Sequence, residues 1–179
     1  MLPFLLASLL VTGGFEAGGR VGVVFPASGL ERTYDAAAVF GASLGYELGL
    51  NRLTLDYGYF GLKAKQASPY QLNVHNLSLG YCREFILGRA ASGPASNWGF
   101  EASASAGLGL LSRALGSARE TGKAPSGIIG LDFFQRQGHS RLSLGLDNFV
   151  FSESRPAGSA RTVSLTYLIA LKGGVAYVF

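Results

Sequence analysis

The sequence predicts an all-β fold, an eight-stranded antiparallel up-and-down β-barrel that spans a membrane. Apolar residues recur at every second position in eight segments, as in strands whose two faces meet different surroundings. Charged residues make up only 15% of the 179 residues, glycines number 26 and the mean hydropathy is +0.27, so an ordinary water-exposed surface is not expected. No run of about 18 consecutive apolar residues occurs, which argues against a transmembrane helix.

The first three segments follow one another closely along the chain. The first covers about 15–25, and Pro26 ends it because proline has no donor for a ladder hydrogen bond. The second covers about 37–50 and the third about 53–60, with a tight turn between them. In all three, leucines, valines and aromatic residues occupy one face, whereas glycine, serine, threonine and acidic residues dominate the other.

The next four segments cover about 71–85, 98–111, 127–136 and 141–151. They repeat the same alternation of apolar residues with glycine, serine and acidic residues. In the fourth strand the phase inverts near Leu72 and Val74, which predicts either a β-bulge or a rim that lies above the membrane.

The eighth segment, about 162–179, gives the clearest alternation. Every second residue from Val163 to Phe179 lies on an apolar face, and the positions between them are mostly small or polar. From Tyr167 to Tyr177 a strand rises about 33 Å, and a tilt of roughly 40° leaves about 25 Å of height. This is the apolar band of an outer-membrane barrel, and the aromatic residue near each edge is typical of its interfacial girdles.

An even number of strands places both ends of the barrel domain on one side of the membrane, which is expected to be periplasmic. The periplasmic connections are expected at about 50–52, 86–97 and 136–140. The extracellular ones are expected at about 26–36, 63–70, 112–126 and 152–161. These four outer connections hold eight bases and four acids, and therefore the whole formal net charge of +4. The charge favours contact with lipopolysaccharide phosphates, although ordinary solvated loops would carry similar charges.

Residues 1–14 resemble a secretory signal peptide, and residues 15–179 are assigned to the barrel domain. Leu2–Val11 is an apolar run followed by Thr12, Gly13 and Gly14. The basic segment that usually precedes such a run is missing, which favours a truncated or misassigned start. The alternative is that this run belongs to a first strand or helix of the mature domain.

A soluble barrel of the lipocalin type would also alternate, but it would turn its apolar face inward and its charged face to water. In this chain the non-apolar face consists mainly of glycine, serine, alanine and threonine with scattered acids. Such small residues suit the crowded interior of an eight-stranded barrel, which side chains just fill. The membrane interpretation is therefore preferred.

Eight charged residues are expected to face the lumen as a charge network. They are Glu16, Arg20, Glu47, Asp56, Glu101, Asp132, Asp147 and Lys172. Four of these acids are expected in the periplasmic half, where Arg20 and Lys172 can reach several of them: Glu16, Glu47, Asp56 and Glu101. Because an isolated buried charge is costly, the preferred interpretation is an internal plug of ion pairs and hydrogen bonds. A narrow, cation-preferring, porin-like path is the alternative.

The sequence offers little for catalysis, metal binding or nucleic-acid binding. Cys82 is the only cysteine, so neither an intramolecular disulfide nor a zinc site is expected, and no cofactor is expected either. His75 and His139 are the only histidines; His75 and Ser78 are three residues apart and so lie on opposite faces of a strand. No basic run or aromatic RNA-binding motif suggests nucleic acid. The chain is therefore not expected to be an enzyme, with a lipid A-modifying enzyme as a second alternative.

Two motifs resemble the small outer-membrane β-barrel family typified by the membrane domain of OmpA and by OmpX. The opening motif is Phe15–Pro26, FEAGGRVGVVFP, and the closing motif is Gly174–Phe179, GVAYVF. Val175, Tyr177 and Phe179 resemble the C-terminal signal read by the barrel-assembly machinery. The resemblance implies a monomer in the bacterial outer membrane, with a structural or surface-interaction role. Its expected partners are outer-membrane lipids, lipopolysaccharide and, during biogenesis, that machinery.

Overall fold

A computed structural model describes residues 14–27, 30–65, 70–89, 96–115, 117–157 and 160–179. These residues form a closed barrel of eight antiparallel strands, in which each strand pairs with the next and the last pairs with the first. The predicted fold class is therefore confirmed. Except for Gly14, the segment assigned to a signal peptide lies outside the described residues.

The eight strands contain 12 to 20 residues each. Their bounds are β1 Phe15–Pro26, β2 Ala37–Leu48, β3 Asn51–Lys63, β4 Tyr70–Arg89, β5 Ser96–Leu115, β6 Ala118–Gln137, β7 Ser140–Ala157 and β8 Ala160–Val178. A short 3-10 helix covers Leu30–Arg32 between β1 and β2. In the described part of the chain no helix has the length and apolar character needed to cross a membrane.

We call the end at which β1 begins and β8 ends the lower end, and the opposite end the upper end. At the lower end, tight turns join β2 to β3 and β6 to β7. Gly49 and Gly138 occupy these turns with φ of 68° and 58°, a left-handed conformation that glycine adopts without steric cost. The predicted connections at 50–52 and 136–140 therefore lie within two residues of the observed turns. Residues 90–95, inside the predicted connection 86–97, lie outside the described residues.

At the upper end two predicted connections are wrong. Residues 112–115 and 118–126 belong to β5 and β6, and residues 152–157 and 160–161 belong to β7 and β8. The ladder of backbone pairs continues through these residues, and Arg113 pairs in register with Glu120. Apolar residues no longer alternate with polar ones along these segments, so the period that defines a strand in the sequence disappears although the strand itself continues.

The β-bulge predicted in β4 near Leu72 and Val74 is also wrong, whereas its alternative, a rim above the membrane, stays a prediction. Both residues are buried in the lumen, in the same phase as the inward residues below them, and β4 is in regular register with β3 there. The apolar residues change phase in the sequence because large apolar side chains face inward at this height. The register shift in β4 lies instead between Ile86 and Gly88, at the lower end.

The outer surface of the barrel is apolar. Leu55, Leu108, Leu144 and Leu165 are 41–59% exposed, and more than twenty other large apolar side chains point outward with them. An aromatic group at the lower edge contains Phe15, Tyr46, Tyr81, Trp98, Phe133 and Tyr177, and one at the upper edge contains Phe25, Phe40, Tyr57 and Tyr167. A continuous apolar belt between two aromatic girdles is the surface of a barrel immersed in lipid.

Candidate functional site in the barrel lumen

A ring of four alternating charges crosses the lower half of the lumen. Glu16, Arg52, Glu101 and Arg141 form the ring, and they come from β1, β3, β5 and β7. The Arg52 guanidinium lies 2.5 Å from Glu16 Oε1 and donates to both oxygens of Glu101 at 2.8 and 2.6 Å. Arg141 Nη2 donates to Glu101 Oε2 at 2.8 Å, and Arg141 Nη1 closes the ring 3.6 Å from Glu16 Oε2. All four residues are at most 7% exposed.

Three charged residues of the even-numbered strands adjoin this charge ring. Arg136 of β6 forms an ion pair with Glu47 of β2 and lies 3.6 Å from Glu84 of β4. Arg141 Nη1 donates to Glu84 Oε1 at 2.8 Å, and the same guanidinium stands 4.5 Å above the Phe134 ring. Each buried carboxylate therefore has at least one cationic partner, as a low-dielectric interior requires.

The alternation of the strands explains why these side chains meet. Arg52 is in phase with the inward residues Thr54 and Asp56 of β3, and Arg141 is in phase with Ser143 and Gly145 of β7. Because every second residue of a strand points inward, the charged residues in the lower parts of these strands place their side chains in the lumen at a similar height.

A second charged layer lies in the middle of the lumen. Arg20 forms an ion pair with Asp56, whose Oδ2 accepts a hydrogen bond from Thr54 Oγ1 at 2.6 Å. Lys172 Nζ lies 3.1 Å from Asp132 Oδ2 and 2.7 Å from Asp147 Oδ1. A cavity of about 80 Å³ lies between this layer and the charge ring. A polar cavity of that size has room for several water molecules.

Above the cavity the lumen becomes apolar and closes. Asn76 Oδ1 accepts a hydrogen bond from Ser126 Oγ at 2.5 Å, at the boundary between the polar and apolar parts. Phe60 packs against Phe149 and Phe151, with ring centroids 5.9 and 6.3 Å apart. The apolar plug consists of Val24, Val39, Phe60, Leu62, Leu72, Val74, Leu111, Ala124, Phe149, Phe151, Leu168 and Ala170. Phe60 and Phe151 are at most 1% exposed and Phe149 is 5% exposed, so the plug fills the upper lumen.

The structure places all eight predicted network residues in the lumen but pairs them differently. The predicted reach of Arg20 and Lys172 is wrong for three of the lower acids, Glu16, Glu47 and Glu101. Those acids form ion pairs with Arg52, Arg136 and Arg141. Arg20 instead forms an ion pair with Asp56, and Lys172 forms ion pairs with Asp132 and Asp147.

Four network residues are missing from the sequence prediction: Arg52, Glu84, Arg136 and Arg141. Two of them, Arg52 and Arg136, lie within the predicted turns. The two-residue period could have identified these four residues, because each lies two residues from an inward-facing residue of the same strand.

The residues of the predicted assembly signal lie on the outer surface. Val175, Tyr177 and Phe179 are all exposed, and the Tyr177 and Phe179 rings pack 5.1 Å apart. His139 stacks on Tyr177 at 5.6 Å and hydrogen bonds through Nδ1 to the Val178 carbonyl at 2.8 Å. These contacts form part of the lower aromatic girdle.

The other reactive side chains are dispersed. His75 is exposed on the outer face, where its Nδ1 lies 2.8 Å from Tyr57 Oη, whereas Ser78 is buried in the lumen. Cys82 is a free, buried thiol in the lumen. Among the described residues, no group of three or more His, Cys, Asp or Glu side chains is arranged to hold a metal ion.

Two solved structures share this architecture. The crystal structure of Neisserial surface protein A aligns with a TM-score of 0.62 and 17% identity over 92% of this chain and 97% of that one. The N-terminal β-barrel domain of Pseudomonas aeruginosa OprF aligns with a TM-score of 0.55 and 15% identity over 93% and 99%. No protein-family model matches the chain, and a search of curated proteins finds no match. The chain thus has the transmembrane fold of the small outer-membrane barrels, as the two sequence motifs implied.

Proposed function

We propose that the protein is a closed, non-enzymatic barrel of the bacterial outer membrane with a structural or surface-interaction role. The observation that carries this proposal is the closure of the lumen by the apolar plug above the charge ring. Side chains such as Phe60, Leu62 and Phe151 leave no hydrated route through the upper half of the described barrel. The apolar belt and the similarity in fold to outer-membrane barrels support the location.

The test is single-channel recording of the purified protein in planar bilayers. We expect no conductance steps from the native chain. Phe151→Ala removes a ring from the plug, and any steps that this variant shows would locate the closure there. Regular steps from the native chain would contradict the closed barrel.

A narrow cation-preferring pore is a second candidate because the lumen holds an excess of acid. In the two charged layers of the described barrel, seven carboxylates face inward against five bases: Glu16, Glu47, Asp56, Glu84, Glu101, Asp132 and Asp147 against Arg20, Arg52, Arg136, Arg141 and Lys172. If the native chain conducts, a reversal potential that follows the cation gradient would favour this candidate over the closed barrel.

For the surface role we propose that the upper end contacts the phosphates of lipopolysaccharide. Arg32, Lys63, Lys65, Arg119 and Lys123 are exposed there, against the exposed acids Glu31, Asp35 and Glu120. Three of these bases, Lys63, Arg119 and Lys123, lie on strands rather than in loops, so the barrel wall itself holds them. A base near an anionic membrane surface contributes about 1 kcal/mol of binding free energy.

Vesicles that contain lipid A with or without its phosphates test this contact. We expect the triple variant Lys63→Gln, Arg119→Gln and Lys123→Gln to bind phosphorylated lipid A at least tenfold more weakly. Binding to the dephosphorylated lipid should not change. The triple variant Lys63→Arg, Arg119→Lys and Lys123→Arg, which keeps the three positive charges, is the matched control. Equal binding by the triple variant and the native chain would remove the proposed contact.

The non-enzymatic part of the proposal follows from the surroundings of His75. Its nearest polar partner is Tyr57, and the serine closest to it in sequence lies on the other face of β4. A histidine needs a nucleophile or a water positioned within hydrogen-bond reach to act as a general base. Release of fatty acid from lipid A by the native chain, lost in His75→Ala, would contradict this part.

A further inference from the structure

An apolar groove lies on the lipid-facing surface of β1 to β4, near the lower end of the barrel. Phe15, Tyr46, Leu53, Leu55 and Leu79 form its walls, and its volume is about 350 Å³. The lining is almost entirely apolar, and Leu79 is 70% exposed. The groove is therefore a concave interruption of the apolar belt.

A cationic side chain stands at the lower mouth of this groove. Arg83 is exposed on the outer face of β4 and pairs with Asn51 of β3. The next outward pair of these two strands is Tyr81 with Leu53, and Leu53 forms part of the groove wall. Arg83 Nη1 donates to Asn51 Oδ1 at 3.3 Å, and Tyr81 Oη donates to the same oxygen at 2.5 Å. None of the described carboxylates lies within ion-pair distance of Arg83. Most of its five N–H donors therefore remain for an external anion.

We propose that the groove and Arg83 together bind one anionic phospholipid. Its phosphodiester would lie on the Arg83 guanidinium, its polar glycerol region beside Asn51 and Tyr81, and one acyl chain along the groove. The order of charged, polar and apolar groups along β4 matches the order of those groups in the lipid. This charge complementarity is what distinguishes the groove from the rest of the belt.

The vertical dimensions agree with this occupant. Arg83 and Leu79 are four residues apart, which is about 13 Å along a strand and about 10 Å of height at a tilt of roughly 40°. Half of the hydrocarbon core is about 15 Å thick. A phosphate held at Arg83 therefore leaves the groove within the lower leaflet.

The same charge disfavours a second copy of the chain as the occupant. A symmetric dimer through this face would bring the same surface patch of each copy together. The two Arg83 side chains would then approach each other near the membrane boundary, where like charges repel. A phospholipid instead supplies the opposite charge.

The test is photocrosslinking of the full chain in nanodiscs of phosphatidylcholine that contain a minor fraction of phosphatidylglycerol with a diazirine in its acyl chain. Mass spectrometry then maps the crosslinked peptides. We expect crosslinks to concentrate on the peptides that contain Leu53, Leu55 and Leu79. Arg83→Gln should lower their yield about fivefold, the factor contributed by one base at an anionic membrane surface.

A second variant separates the groove from the charge. Ala17→Leu places a larger side chain on the lipid-facing side of β1 beside the groove and leaves Arg83 in place, so the crosslinks should move away from the groove. Ala104→Leu, on the lipid-facing side of β5, is the control and should leave the pattern unchanged. Heat-modifiable migration confirms that each variant is folded.

Crosslinks spread evenly around the barrel, or a pattern that neither Arg83→Gln nor Ala17→Leu alters, would overturn the proposal. So would crosslinking of one protein chain to another through this face. The result does not depend on conductance or on binding of lipid A, so the proposed function and the phospholipid site can fail separately.

Discussion

Removing the charge of Glu101 is the sharpest test of the charge ring. This carboxylate is 3% exposed and accepts three hydrogen bonds from guanidinium groups, two from Arg52 and one from Arg141. Glu101→Gln preserves the size of the side chain and one acceptor oxygen. It removes the negative charge and turns an amide NH₂ towards a cation.

We expect this change to lower the free energy of unfolding by about 3–5 kcal/mol, because it leaves two buried cations undercompensated. Glu47→Gln is the matched comparison. Glu47 forms an ion pair with Arg136 nearer the barrel mouth, where the side chains are 16% and 21% exposed. Solvent screens that pair, so its loss should cost only about 1 kcal/mol.

Reversible urea unfolding in phospholipid vesicles measures both values, with migration of unheated samples on gels as a check of the folded state. A double-mutant cycle isolates the interaction. Once Glu101 has lost its charge, Arg141→Met should cost less than it does in the native chain, with a coupling energy of about 1–3 kcal/mol. Equal losses for Glu101→Gln and Glu47→Gln, together with additive effects in the cycle, would refute the reasoning.

Three further predictions test the packing and the two faces of the barrel. Gly107→Ala should destabilise the barrel by about 1–3 kcal/mol, because the added Cβ would overlap the Leu77 carbonyl oxygen. In Gly58→Ala the added Cβ meets no atom within 4 Å, so that variant should be neutral. Urea unfolding measures the free energy of unfolding of both variants. Leu146→Arg places a charge in the apolar belt and should cost about 2–4 kcal/mol if that position is near the bilayer midplane, measured in the same assay. A membrane-impermeant maleimide should label the buried thiol of Cys82 only after the protein is unfolded, and rapid labelling of the folded barrel would place that thiol outside the closed lumen.

The two faces of each strand could be predicted from the sequence within the membrane, but the upper strand ends could not. Between Phe100 and Leu110 the outward residues are apolar and the inward ones small or acidic, so a period of two is visible. From Ser112 to Ala124 apolar residues no longer alternate with polar ones, so the sequence does not show which residues pair. Backbone hydrogen bonds extend β5 and β6 there without any apolar pattern.

The partners inside the lumen could not be predicted because they depend on the stagger between strands. Alternation assigns Glu101 and Arg20 to the interior, but their heights also depend on how each strand slides along the next when the barrel closes. A shift of two residues preserves every face and changes every ion pair. The sequence therefore predicts that Glu101 is buried, and only the register shows that Arg52 and Arg141 neutralise it.

The charge ring connects strands that the backbone ladder does not. Glu16, Arg52, Glu101 and Arg141 belong to alternate strands, so none of the four ring contacts joins hydrogen-bonded neighbours. A register error of two residues between adjacent strands preserves both faces, but it moves one side chain along the barrel axis and leaves a buried charge unpaired. The backbone ladder alone tolerates such an error, because a shifted strand can recover most of its hydrogen bonds. The charge ring therefore destabilises barrels that close with a wrong register between strands. The outer apolar belt contributes little to the choice between such registers, because its residues are similarly apolar along the strands.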